Sequence, residues 1–292
     1  MEAIDFATPK TIDEAVQIMA SNGDRARMLA GGTDLIVQLR AGRRSLDVVV
    51  DSKGIPELNE LSYSAQNGLT IGAAVPCYKI YENQEVASAY PGLIDSATLI
   101  GGIQIQGRAS LGGNLCNAAP SGDSIPGVIT MGGVAHIVGP TGSRDVPAEE
   151  FCTGPGRNVL QAGEILVSIR IPTPQAHSGT NYLRFIPRNE MDIAVAGVAS
   201  LVALEPETRK CTRVRISLAS VAPTPVRARA AEGVLEGKEI TANLIEEAGE
   251  RAVEAASPIS DMRGSVDYRK DLVRVLTRRT LHACMASLGH PL

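Results

Sequence analysis

The spacing of apolar positions changes along the chain, and each change marks a new kind of element. Behind Thr11, the residues Ile12, Ala15, Val16 and Met19 recur at helical spacing. Thr11 and Glu14 form a capping-box pattern, and Gly23 stops the predicted helix. Arg27 to Ala30 is strand-like and runs into a glycine turn, after which Asp34 to Arg40 is helical through Leu35, Ile36 and Leu39. Leu46 to Val50 is short and β-branched, a buried strand ending at Asp51. The chain thus opens as helix, strand, glycine turn, helix, strand: a small βαβ unit.

From Leu58 to about Pro172 short apolar runs alternate with turns, as in 68–73, 134–138 and 166–171, and a helix ends near Ile100. A second glycine turn, Ser110-Leu111-Gly112-Gly113-Asn114, falls inside this β-rich section. Residues 172–179 are proline-punctuated and polar, the best linker candidate. Beyond it, Ala194 to Leu204 and Val214 to Ala222 predict long antiparallel strands joined by a turn at Pro206-Glu207-Thr208. Thr224 with Pro225 predicts an N-cap and first-turn proline. Thr241 to Ala256 is helical, and Tyr268, Leu272, Val275 and Leu276 share one face of a last helix. The second half reads as a strand layer covered by helices.

Composition narrows the function. Hydrophobic content of 44% and charged content of 21% are those of an ordinary globular protein. A net charge of -4 argues against nucleic-acid binding. The cluster Arg269, Lys270, Arg274, Arg278 and Arg279 reads as a solvated helix face. No secretory signal is expected at the N-terminus, and the apolar stretch Ile193 to Leu204 is far short of the ~20 residues that cross a bilayer. Cys77, Cys116, Cys152, Cys211 and Cys284 have no paired spacing, which suits reduced thiols in a cytoplasm and no iron–sulfur centre in this chain. The histidines lack metal-ligand spacing. Glu149-Glu150 reads as a solvated acidic pair, Asp192 as a cap, and Gly154-Pro155-Gly156-Arg157 as a turn. Ser121 and Ser124 have no histidine–aspartate pair arranged near them in sequence, which leaves only a triad assembled in space.

The chemistry lies in the two glycine turns. Glycine admits positive φ and removes the side chain that would block an anion, so successive amides of Ala30-Gly31-Gly32-Thr33-Asp34 can point at one phosphate. Two such turns suggest a pyrophosphate gripped from two sides; a tight structural turn is the alternative for either alone. No G-x-G-x-x-G follows the first strand and no Gly-Lys-Ser/Thr follows either turn, which disfavours a Rossmann nicotinamide site and a nucleotide hydrolase.

The stretch Leu29 to Leu35, then Ile100 to Leu115, resembles the FAD-binding medium subunit of molybdenum hydroxylases, the family of aerobic carbon monoxide dehydrogenases and xanthine dehydrogenases. The match continues through 119–123, 163–166, 188–194 and 222–228. The resemblance implies an α+β fold: a two-part FAD-binding domain of the vanillyl-alcohol-oxidase (PCMH) type over residues 1–175, with subdomains of about 1–55 and 56–175, then a small α/β domain over 178–286. It implies that Leu29, Ala30, Gly31, Gly32, Thr33 and Asp34, with Ser110, Leu111, Gly112, Gly113, Asn114 and Asn117, hold a non-covalent FAD. Asp123 falls where a flavin-contacting aspartate sits, Leu166 near the adenine or ring, Ile100 where xanthine dehydrogenases carry a phenylalanine against the isoalloxazine, and Arg184 where relatives often carry a lysine.

The implied function is electron transfer within a multi-subunit enzyme. Substrate is oxidised at a molybdenum cofactor in a large subunit, electrons cross two [2Fe-2S] clusters of a small subunit to FAD here, and an external acceptor leaves with them. A dimer of heterotrimers is expected, with no catalytic acid or base in this chain. A stand-alone reductase of the UDP-N-acetylenolpyruvoylglucosamine type and a flavin-less structural subunit are the competing readings. The scattered cysteines speak against the branch that carries an extra four-cysteine cluster.

Overall fold

The computed structural model describes residues 3–189 and 191–292. Glu190, within the matched stretch 188–194, lies outside the described residues, as do Met1 and Glu2. The chain begins with β1 (Asp5–Ala7), α1 (Ile12–Asn22), β2 (Ala26–Leu29), α2 (Leu35–Arg40) and β3 (Val48–Asp51). The three strands form a parallel sheet in the order β1-β3-β2, with Phe6 opposite Val49 and Met28 opposite Val50. The Thr11 hydroxyl caps α1 by accepting from the Glu14 amide, and Gly23 ends it at φ 51°. The strand β1 is too short to show a period, and the sequence reading missed it.

A second sheet follows, but not as a continuous run of strands. After β4 (Leu61–Ser64) and β5 (Gly68–Gly72) come six short helices: α3 (Cys77–Glu82), α4 (Gln84–Ala89), α5 (Pro91–Ala97), α6 (Ile103–Gln106), α7 (Leu111–Asn117) and α8 (Ser124–Thr130). The chain returns through β6 (Val134–Gly139), β7 (Gly142–Pro147), α9 (Ala148–Phe151), the small hairpin β8 (Cys152–Gly154) and β9 (Arg157–Asn158), and β10 (Ile165–Ile171). The antiparallel sheet has the order β4-β5-β10-β6-β7. The expectation of alternating strands across 58–172 therefore holds at its ends and fails over its middle, which is helical.

The last part is an antiparallel sheet of β11 (Ser178–Phe185), β12 (Ala196–Leu204), β13 (Cys211–Ala219) and β14 (Val226–Arg227), followed by α10 (Arg229–Leu235), α11 (Ala242–Ala252) and α12 (Val266–Ser287). Every residue of β12 is buried, because α12 packs on the sheet while α8 of the first part also touches β12 and β13. A strand covered on both faces has no reason to alternate. No helix starts at Thr224; Val226 and Arg227 instead pair with Leu218 and Ser217. Leu272 and Leu276 face the core, whereas Tyr268 is partly exposed and meets Phe185 edge-on.

Two charged groups differ from the expectation of solvated faces. Arg269 is buried and donates to the carbonyls of Val195 and Ser220 and to Asp261. Arg274 and Arg278 are ion-paired with Glu250 and Glu246 of α11. Glu149 receives Arg227 and Arg229 at 3.3 and 3.2 Å, so only Glu150 of that pair stays solvated. No helix among the described residues is long and apolar enough to cross a membrane.

Candidate functional site

A cleft of about 490 Å³ opens between the first sheet, α7, the β8–β9 hairpin and β10. That is within the range of cofactor pockets. One wall is the loop between β2 and α2, where Gly31, Gly32, Thr33 and Asp34 all face the cleft. Gly32 sits at φ 76°, the left-handed turn that makes successive amides converge. Among the described residues, the amides of Gly31 to Asp34 donate to no carbonyl or side chain. Gly31 serves a different purpose: a Cβ there would stand 1.9 Å from the Arg108 carbonyl oxygen, so the loop is pressed against the segment leading to the opposite wall.

The opposite wall is not a turn, as its glycines suggest, but the beginning of α7. Ser110 is its N-cap, with Oγ accepting from the Gly113 amide at 3.0 Å. The two glycines do separate work. A Cβ on Gly112 would lie 2.5 Å from the backbone of Ala73, so glycine lets α7 settle on the strand end behind it. A Cβ on Gly113 would meet only the Ser110 hydroxyl within 4 Å, so here glycine leaves the backbone open toward the cleft.

Polar side chains bind the walls together. Arg44 Nε donates to Gln38 Oε1 at 2.6 Å, and Gln38 Nε2 donates to Asn117 Oδ1 at 2.9 Å, joining α2 to α7. Asn114 Oδ1 accepts from Ser124 Oγ at 2.7 Å. Asp34 keeps solvent contact, yet the walls around it push its carboxyl above the usual range by desolvation. Ile100 and Leu166 supply apolar lining. Glu164 is held by a bidentate contact with Arg144 at 2.7 Å, which keeps its carboxyl low and fixes the turn before β10.

Ala30, Gly31, Gly32, Thr33, Asp34, Ile100, Ser110, Gly112, Gly113, Asn114, Asn117 and Leu166 thus share one cleft. The other four residues singled out in the sequence do not line it. Leu29 and Leu111 are buried behind the walls. Asp123 and Arg184 form a separate buried pair, in which the carboxylate accepts from Arg184 Nη1 at 2.5 Å and from Tyr182 Oη at 2.8 Å. Burial pushes the Asp123 carboxyl up to about 6, against the pull of Arg184 and Tyr182. Asp192 accepts from the Arg188 and Ile193 amides, as a cap does.

Sequence reasoning missed Arg27, Gln38, Arg44 and the hairpin residues Gly156, Arg157 and Asn158, all of which line the cleft. The Gly-Pro-Gly-Arg turn carries the only legible signal: Gly156 adopts φ 69°, and its amide donates to the Ala118 carbonyl at the end of α7. The site is donor-rich and open to a backbone-bound anion on two sides, which fits a dinucleotide.

Comparison with known proteins agrees with that chemistry. Residues 2–174 match the FAD binding domain in molybdopterin dehydrogenase, and residues 181–284 match the CO dehydrogenase flavoprotein C-terminal domain. The chain is 30% identical to an Escherichia coli xanthine dehydrogenase FAD-binding subunit, with 98% of each chain covered. It is 29% identical to the carbon monoxide dehydrogenase medium chain of Hydrogenophaga pseudoflava, with 97% of each covered. Among solved structures, carbon monoxide dehydrogenase from Hydrogenophaga pseudoflava superposes with a TM-score of 0.92 at 30% identity, covering 97% of each chain. Quinoline 2-oxidoreductase from Pseudomonas putida 86 superposes with a TM-score of 0.90 at 29% identity, covering 98% of each. The α+β architecture expected from the resemblance is the one observed, and the chain belongs to the molybdenum hydroxylase family as one of its FAD-binding subunits.

Proposed function

We propose that this chain is the flavin-carrying electron-transfer subunit of a complex with a large molybdenum-cofactor subunit and a small [2Fe-2S] subunit. When bound, FAD supplies the redox chemistry, accepting electrons from the iron–sulfur clusters and passing them to an external acceptor. The chain's own work is to bind and orient. The amides of Gly31 to Asp34 and the start of α7 at Ser110 to Asn114 cradle the diphosphate, each charge-assisted bond contributing roughly 1.5–3 kcal/mol. Asn117 adds a side-chain amide. Ile100 and Leu166 offer apolar contact, while Leu29 and Leu111 back the two walls. Asp123 and Arg184 act from behind α7, through the adjacent Ser124 and its bond to Asn114. Residues 1–175 form the cofactor-binding part, and residues 178–286 brace it.

The observation that carries this reading is the row of amides at Gly31 to Asp34, unpaired among the described residues and facing a second glycine-bearing wall across one cleft. The relatives' own names, "medium chain" and "FAD-binding subunit", support a multi-chain assembly; a cytoplasmic dimer of heterotrimers is the form we propose for it. The test is purification from the native host. A yellow complex of three chains that contains molybdenum and iron and releases FAD on acid treatment is expected. Gly32→Val and Gly113→Val should each abolish flavin retention while the C-terminal domain stays folded. A colourless chain, or a self-sufficient NADPH-dependent reductase without partners, would overturn the proposal.

A further inference from the structure

The positive and negative side chains that line the cleft are equal in number, and one half-buried arginine among them has no carboxylate partner among the described residues. Arg27, Arg44 and Arg157 line it, against Asp24, Asp34 and Glu164. Glu164 is engaged by Arg144 from outside that set. Asp24 is fully exposed and stands 3.6 Å from Arg27. Arg44 is half-buried and forms no ion pair among the described residues, and its pKa is lowered by burial first and by the nearby Arg27 charge second. Bringing two guanidiniums together without a carboxylate between them costs free energy unless an anion joins them.

The hydrogen-bond chain across the cleft explains how this charge is aimed. Arg44 can only donate, so its Nε fixes Gln38 with the amide oxygen toward the arginine. Gln38 must then donate onward, and it consumes the Asn117 oxygen. The Asn117 amide nitrogen and the terminal nitrogens of Arg44 are left as donors with no acceptor among the described residues. The relay removes acceptors from this part of the cleft and leaves donors on both α2's side and α7's.

We infer that Arg44, seated by the Gln38–Asn117 relay and assisted by Arg27, is the charge-compensating residue for the diphosphate of the bound dinucleotide, and that it selects the ADP-bearing cofactor over shorter flavins. This rests on the FAD reading above. The backbone cradles contribute shape and partial charge, while Arg44 contributes the formal charge that a half-buried diphosphate requires.

The test measures binding of FAD, ADP and riboflavin to the deflavinated full-length chain by flavin fluorescence and calorimetry across a salt series. Arg44→Met should weaken FAD and ADP by roughly tenfold or more, the weight of one charge-assisted contact, and leave riboflavin unchanged. Gln38→Glu keeps Arg44 in place but neutralises it with a new ion pair, so it should weaken ADP while preserving the fold. Arg44→Lys should retain part of the affinity, because the charge survives the loss of the Nε bond. Both Arg44→Met and Gln38→Glu should flatten the fall of affinity with salt. Equal losses for ADP and riboflavin, or unchanged ADP affinity in both variants, would overturn the inference. If the wild-type chain takes up no FAD at all, the functional reading itself fails, a result distinct from either.

Discussion

The closest approach in the site is also its most sensitive point. Replacing Gly31 with alanine would place a methyl carbon 1.9 Å from the Arg108 carbonyl oxygen, 2.5 Å from its carbon and 3.0 Å from the Ala109 nitrogen. Ordinary contact begins near 3.4 Å, so the two segments must separate by about 1.5 Å. Neither is free to retreat. The Ala109 amide donates to the Ile105 carbonyl at 2.7 Å, and the Ala109 carbonyl accepts from Cys77 at 2.8 Å. Overpacking of this kind costs about 1–3 kcal/mol, and a lost backbone bond adds about 1 kcal/mol. Set against a typical stability of about 5–15 kcal/mol, the variant still folds. Its cleft walls, however, no longer stand at the distance that lets both grip one diphosphate. Loss of two charge-assisted contacts weakens FAD by about 10²–10⁴-fold. Flavin fluorescence titration alongside thermal unfolding measures both effects. Gly233→Ala is the control, since this glycine lies in α10 away from the cleft and a methyl there meets nothing within 4 Å. In a helix interior that change stabilises by up to about 1 kcal/mol. Wild-type FAD affinity and stability in Gly31→Ala would refute the argument that this contact sets the spacing of the walls.

Other substitutions probe the frame around the cleft. Asp123 has its folded pKa raised to about 6 from 3.8, so its contribution to stability is full below about pH 4 and is lost as pH rises through 6. Asp123→Asn should therefore flatten the decline in urea midpoint between pH 4 and 6, and an unchanged slope would discount this group. Arg184→Met strips the cation from a buried carboxylate and should cost about 3–5 kcal/mol at pH 8, shrinking at pH 5 where the carboxyl is protonated. Phe151→Ala, at a fully buried position, should lower stability by about 3–5 kcal/mol in urea unfolding. Thr11→Ala removes the hydroxyl that caps α1 and should cost about 0.5–2 kcal/mol by the same measurement.

What the sequence made legible follows from the range of the interactions involved. The cap at Thr11, the stop at Gly23 and the largely apolar run of β12 are local patterns, and each could be read directly. The helices between β5 and β6 are four to seven residues long, too short to display a helical period. Their existence depends on packing, as does the start of α7, where two adjacent glycines contradict helix propensity. Gly112 is there because Ala73 lies 2.5 Å from where its Cβ would be, and that contact spans dozens of positions. The same limit applies to the site. The contiguous stretch Gly31 to Asp34, which lines the cleft, is visible as a motif, whereas the bond between Gln38 and Asn117, 79 positions apart, has no local signature. Arg44 was invisible for the same reason.

The second wall is also the route by which the C-terminal sheet can influence the cleft. Asn114 lines the cleft and accepts from Ser124, whose neighbour Asp123 is held by Tyr182 and Arg184 of β11. The same strand is tied to α5, because Asp95 accepts from the Asn181 side chain and the Tyr182 amide, and Thr180 accepts from the Gly92 amide. Two carboxylates of the first part therefore grip Asn181, Tyr182 and Arg184 of one strand, and one of them adjoins the residue that bonds Asn114. A buried polar network tolerates little partial satisfaction, so β11 must seat fully for Asn114 to be oriented. The C-terminal domain is thus tied to the second wall of the cleft through Tyr182, Arg184, Asp123 and the adjacent Ser124. In a multi-subunit enzyme, any partner that shifts β11 would reach the cofactor cleft through this short chain of contacts, without touching the cleft itself.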